Sequence, residues 1–130
     1  MKKVFLGGTC NGSGWRDGLI KMLKIDYFQP QGDDWTPEMI QEEMKQREIC
    51  DFCLYVITPK MTGFYSVAEV VDDSNKHPSK TIFSFLKEDE GETFSDHQMK
   101  SLEQTGKMVQ ENGAKFFSKF EEIAEYLNNH

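Results

Sequence analysis

The sequence predicts a single α/β domain, residues 1–130, built on a doubly wound five-stranded parallel sheet with helices on both faces. Three observations predict it. Short apolar runs alternate with helical patterns from one end of the chain to the other. The central run Phe52–Ile57 is almost continuously apolar, the mark of a strand covered on both sides. No repeat, linker or low-complexity stretch interrupts the 130 residues, a length that one core can serve.

Each element has a local reason. Residues 3–6 form a first strand that runs into a flexible glycine-rich loop over residues 7–14. A helix follows over residues 15–23, with Leu19, Ile20, Met22 and Leu23 on its inner side. Residues 27–29 make a short second strand, stopped by Pro30. Thr36, Pro37 and Glu38 supply a capping hydroxyl, a proline in the first turn and an acid, so a helix starts there and runs to Ile49. After the strand Phe52–Ile57 come a helix over residues 66–74 and a strand over residues 81–86. Ser95 and Gln98 form a capping box for a helix to Glu111, which Asn112 and Gly113 end. Residues 114–117 are the last strand, and Ser118 with Glu121 caps a terminal helix to Leu127. Right-handed crossovers then give strand order 2-1-3-4-5, flavodoxin-like.

Composition excludes several functions. With 22 acidic against 15 basic residues, the net charge of −7 repels phosphate backbones, so no polymeric nucleic acid is expected as partner. The acidic clusters at residues 88–92 and 121–125 read as solvated faces. No segment approaches the roughly 18 apolar residues of a membrane span. The start, Met1, Lys2 and Lys3, mimics a signal peptide, but its apolar run is too short, so a cytoplasmic protein is expected. Three cysteines, an odd number, fit reduced thiols. Cys50 and Cys53 have C-x-x-C spacing, yet Cys50 ends a helix and Cys53 lies within a strand, so redox or zinc chemistry is not expected. The three histidines are scattered, and no metal or cofactor is expected.

In an open α/β sheet, ligands bind beyond the carboxyl ends of the strands. Gly7, Gly8 and Thr9 sit there, in a loop with neither Walker nor dinucleotide spacing, because Ser13-Gly14 stands where a phosphate loop has lysine. Trp15 and Arg16 follow; they read either as packing and a solvated charge or as ligand contacts. The loop with Asp34 and Trp35 follows the second strand, and its Gly32-Asp33-Asp34 is also ordinary turn chemistry. Beyond the third strand lies a loop entering the next helix at Tyr65, Ser66 and Glu69. Glu69 has two readings by position: a capping partner of Ser66, or an ionised carboxylate aimed into the crevice as nucleophile or base. Asp51 is equally ambiguous, since it begins the third strand at the end opposite the crevice. Asp72 and Asp73 read as exposed helix surface.

Taken in order, Val4-Phe-Leu-Gly-Gly8, Trp15-Arg16, Tyr27-Phe-Gln-Pro30, Asp34-Trp-Thr-Pro37, Arg47-Glu-Ile-Cys-Asp51 and Tyr65-Ser-Val-Ala-Glu69 resemble the nucleoside 2-deoxyribosyltransferase-like family. The related 2′-deoxynucleoside 5′-phosphate N-glycosidases share that core. The resemblance covers nearly the whole chain. It implies Glu69 as the nucleophile at a sugar C1′, with Asp51 matching the aspartate that begins the preceding strand and Gly63 opening the segment before the glutamate. It implies a small-molecule nucleoside or nucleotide partner and a homodimer or larger homo-oligomer. One departure stands out. The transferases carry a further aspartate shortly before the glutamate, and residues 60–65 here have no carboxylate, so Asp34 is taken as the substitute donor to the leaving base. Thr9, Ser13 and Arg16 are the positions that would meet a phosphate. The alternative on the same fold is a non-catalytic nucleotide-binding or sensing module.

Overall fold

The computed structural model describes residues 1–10, 12–30 and 36–130. Its main sheet is five-stranded and parallel, made of β1 (Lys3–Gly8), β2 (Asp26–Phe28), β3 (Phe52–Ile57), β4 (Thr81–Phe85) and β7 (Lys115–Phe116). In space the strands run β2-β1-β3-β4-β7. Helices α1 (Trp15–Ile20), α2 (Pro37–Ile49), α3 (Tyr65–Lys76), α4 (Asp96–Glu111) and α5 (Phe120–Asn129) alternate with them. This is the doubly wound order expected from the sequence. The sequence reading missed a two-stranded antiparallel ribbon of β5 (Glu88–Asp89) and β6 (Glu92–Thr93), inserted between β4 and α4. Its strands are two residues long and acidic, so they carry no alternation to detect.

Alternation along each strand divides the core in two. Val4, Leu6, Phe52, Leu54, Val56 and Ile82 face α1 and α5, where Trp15, Leu19, Ile123 and Leu127 meet them. Phe5, Cys53, Tyr55, Ile57 and Phe83 face the other way, against Val70 of α3 and Leu102 and Val109 of α4. Each such side chain, fully buried, contributes about 1.5–3 kcal/mol. Every residue of β3 is buried, as its apolar run predicts. Cys50 and Cys53 are buried free thiols; burial raises Cys50 and pushes Cys53 up to about 12, so both are inert core groups.

The helix ends follow local chemistry. Thr36 Oγ1 accepts from Met39 N at 3.1 Å, and Ser95 and Gln98 cap α4 reciprocally at 3.1 and 2.8 Å. Gly113 ends α4 at φ +103°, a conformation that costs glycine least. Helix α1 stops at Ile20, earlier than expected, because Met22 N and Leu23 N turn back to Leu19 O and Ile20 O. The cap of α5 is shifted by one residue from the expected pair. Glu122, not Glu121, accepts from Ser118 N and Lys119 N, at 3.3 and 3.1 Å.

Candidate active site

A cleft of about 300 Å³ opens at the carboxyl ends of β1 and β3. Among the described residues, it is reached by the end of β1 with Thr9 and Cys10, by Pro30 after β2, and by Met61, Thr62, Gly63, Tyr65 and Ser66 at the entry to α3. Its floor depends on glycine. A Cβ on Gly8, at φ +111°, would stand 2.0 Å from Val56 O, and one on Gly7 would meet the Tyr55 ring at 2.8 Å. Without side chains, the β1 end lies directly on β3 and leaves the space above it open. Thr9 then ties the two strands, with its N donating to Val56 O and its Oγ1 accepting from Thr58 N, both at 2.9 Å.

Trp15 and Arg16 brace this loop from behind and do not line the cleft. Trp15 is buried in the α1/α5 core against Phe120, and its Nε1 donates to Thr9 O at 2.8 Å. Arg16 is buried too, donating to Leu6 O at 3.0 Å and Thr9 O at 2.8 Å, with its guanidinium over the Trp15 ring. Both expected substrate contacts are therefore corrected to loop supports. The physical reason is that the carbonyls at the end of β1 need donors, and these two side chains supply them. Ser13 is likewise engaged, donating to Asp89 Oδ2 of the ribbon at 2.5 Å.

Among the described residues, two carboxyl side chains line the cleft, Glu69 from α3 and Glu43 from α2. Helix α3 begins at Tyr65 with no side-chain cap, so Glu69 stands one turn inside the helix and Ser66 does not pair with it as a capping box. The capping reading of Glu69 is thereby removed. Its side chain is 11% exposed, 3.5 Å from Arg47 Nη1. Burial pushes Glu69 up to about 7, with Glu43 and Asp73 adding to the rise and Arg47 opposing it. Burial wins because the Arg47 fork is spent elsewhere. It grips Asp73 through Nη2 at 2.7 Å and Nε at 3.1 Å, and Asp73 also accepts from Tyr55 Oη at 2.5 Å. The expectation that Glu69 is ionised by a helix amino terminus is corrected accordingly, since it lies beyond the first turn where the dipole acts. Burial raises Glu43 as well, against the opposing charges of Arg16 and Arg47.

The remaining sequence expectations separate cleanly. Gly7, Gly8, Thr9, Gly63, Tyr65, Ser66 and Glu69 converge on the cleft. Asp51 does not: it starts β3 at the opposite end of the sheet, where its Oδ2 accepts from Lys3 N at 2.9 Å, a bond that fixes the start of β1. Asp34 and Trp35 lie outside the described residues. Asp73, expected on the surface, is 4% exposed and anchors Arg47. The acidic cluster at 88–92 is partly structural, with Asp89 buried and Glu90 paired to Lys60 at 2.8 Å. Sequence reasoning gave no role to Glu43 or Arg47. Their signal was available: Glu43, Gln46 and Arg47 recur at helical spacing, a polar stripe on one face of α2.

The family model described as nucleoside 2-deoxyribosyltransferase like matches residues 1–83, from the amino terminus into β4. The matched region contains both carboxyl residues and the glycine floor. The chain belongs to that family. No curated protein is similar enough to this chain to be matched.

Proposed function

We propose that this member of the nucleoside 2-deoxyribosyltransferase-like family transfers a deoxyribosyl group from a 2′-deoxynucleoside, or its 5′-monophosphate, through a covalent intermediate on Glu69. The observation that carries the reading is the pair of half-buried carboxyls, Glu69 and Glu43, facing one cleft at the carboxyl ends of the central strands. Ionised Glu69 attacks C1′. The glycosidic C1′–N bond breaks with its electron pair going to the base nitrogen, which takes a proton from Glu43. Glu43 replaces Asp34 as the donor here because it lines the cleft and burial raises its carboxyl above the ordinary glutamate value, which favours the protonated form. In the second half, an acceptor base or water gives a proton to Glu43 and attacks C1′, releasing Glu69 with net retention. The anionic Glu69 also stabilises the oxocarbenium-like charge on the sugar. Arg47 holds Glu69 in place and is itself held by Asp73 and Tyr55.

The family and the exposed apolar side chains on α2 and at the start of α3, namely Ile40, Met44, Phe64 and Tyr65, support a homodimer. Sedimentation at several concentrations tests that association. The test of the chemistry is incubation with each deoxynucleoside and its monophosphate, with and without an acceptor base, followed by chromatography for freed or exchanged base. Glu69→Ala should remove all release, and intact mass should show a deoxyribosyl adduct on the native chain. A second reading, a binding module without turnover, is favoured by the absence of any carboxylate in residues 60–65. Saturable binding with no base release and no adduct would establish it in place of the first.

A further inference from the structure

A second cavity, of about 400 Å³, opens at the other edge of the sheet, by the carboxyl ends of β4 and β7. It shares no lining residue with the cleft of Glu69. Its first lining residue, Phe85, lies past the matched stretch 1–83, so the family model does not describe it. Half-buried phenyl rings, Phe85 and Phe116, form part of its wall. Phe116 stacks on Phe83 with ring centroids 5.6 Å apart and on Phe85 at 6.1 Å, the planes inclined by 25° and 20°. Helix α4 makes room for the Phe116 ring at Gly106, a poor helix former: a Cβ there would stand 2.3 Å from Phe116 Cε2.

Two cations, Lys87 and Lys107, line the same cavity and are exposed. Among the described residues neither is held in an ion pair or a side-chain hydrogen bond. Lys60, Lys76 and Lys80, by contrast, each have an acid or carbonyl partner. Two carboxylates oppose them. Glu103 lines the cavity one helical turn before Lys107, and Glu122 lies behind Ser118, where the amides of Ser118 and Lys119 already occupy it. The lining therefore carries a local excess of positive charge in a protein of net charge −7. We propose that this cavity is a second binding site, for a small planar aromatic molecule bearing one anionic group. The ring lies against Phe85 and Phe116, and the anion meets Lys87 and Lys107. The volume and the mix of aromatic wall and few polar groups suit a small ligand. Stacking favours a flat ring over a saturated one by roughly threefold to tenfold. Exposed lysines add a similar factor for an anion at low salt, which rising salt removes. The site stands independently of glycosyl transfer at Glu69.

The experiment titrates the full chain with 2-naphthoate, with its neutral isostere 2-naphthamide and with the saturated decahydro-2-naphthoate, at neutral pH in low and in high salt. Affinity is read by calorimetry, and place by amide chemical shifts. The expected result is saturable one-to-one binding of 2-naphthoate, with the other two at least roughly threefold weaker and the gap to the amide narrowing as salt rises. Shifts should centre on Gly106, Lys107 and Phe116, and not on Gly7, Gly8 and Gly63 of the cleft. The double variant Lys87→Gln, Lys107→Gln changes two exposed side chains without printed partners, so it should fold normally and bind naphthoate only as well as the native chain binds the amide. No saturable binding up to millimolar naphthoate would overturn the proposal. So would equal affinity for the amide or the saturated acid, shifts centred on the cleft, or unchanged binding by the double variant.

Discussion

On the proposed mechanism, in which ionised Glu69 attacks, lowering the pH from 8 to 6 should cost this protein most of its base release. An ordinary glutamate, at 4.5, would be almost fully ionised across that range. Burial of the Glu69 carboxyl pushes it to about 7. With that midpoint, the ionised fraction is about 9% at pH 6 and about 91% at pH 8, so the Glu69 limb changes kcat/KM by about tenfold. The assay is base exchange at substrate well below KM at a series of pH values, with single-turnover adduct formation as a check that chemistry is being followed. His77, His97 and His130 are all exposed and outside the cleft, so none of them supplies the transition. A profile flat between about pH 5.5 and 8 would refute the reasoning that burial sets the ionisation of Glu69. Removing the opposing charge with Arg47→Met should move the midpoint upward by about 1–3 pH units, while Arg47→Lys should restore part of the shift. Stability runs the other way. A carboxyl raised on folding contributes stability that is full below about 4.5 and lost as the pH climbs through about 7, on the order of 3 kcal/mol in all. The protein should therefore be weakest, with respect to this group, where it is most active.

Other perturbations separate the roles of neighbouring groups. Glu43→Gln should lower base release by about 10²–10⁴, and far less for a nitrophenyl deoxyriboside whose leaving group needs no proton; equal losses on both substrates would remove Glu43 as the acid. Gly8→Ala should prevent normal folding or cost several kcal/mol, read as a lower melting temperature, because its Cβ has no room beside Val56 O. Trp15→Phe should lower the melting temperature by removing the bond to Thr9 O without changing KM, and a KM effect alone would return Trp15 to the cleft. Turnover should survive a chelator, and loss with chelator that a divalent ion restores would refute a mechanism carried by carboxyls alone.

The fold was legible because its signals are periodic and local. The apolar run of β3, the capping pair Ser95 and Gln98 and the stop at Gly113 each state their own structure in a few residues. The ribbon of β5 and β6 was not legible, since two-residue strands of acids and threonine owe their pairing to contacts with distant loops, such as Ser13 to Asp89. The site was legible where backbone dictates it. Gly7 and Gly8 end β1 at the cleft, and Glu69 follows β3 into the next helix. The roles of Trp15 and Arg16 were not, because an arginine at a helix start looks the same in sequence whether it faces a ligand or, as here, the carbonyls behind the loop.

Helix α2 shows how function can hide an element's own pattern. A helix that only covers a sheet buries its apolar stripe, yet α2 exposes Ile40, Met44 and Ile49 and buries Gln46. Its inward side carries Glu43 to the cleft and Arg47 to Glu69, Asp72 and Asp73 of α3. Such an inverted face is costly for folding: the helix gains little from burial and desolvates two charges, an arrangement that packed apolar residues would often better in stability. That cost has a counterpart in what the inward face supplies. Replacing Glu43 and Arg47 with leucine or methionine would suit the sheet and leave Glu69, among the described residues, unheld and without a second carboxyl beside it. The polar stripe of α2 is thus the feature on which the proposed transfer chemistry and a binding-only role part company.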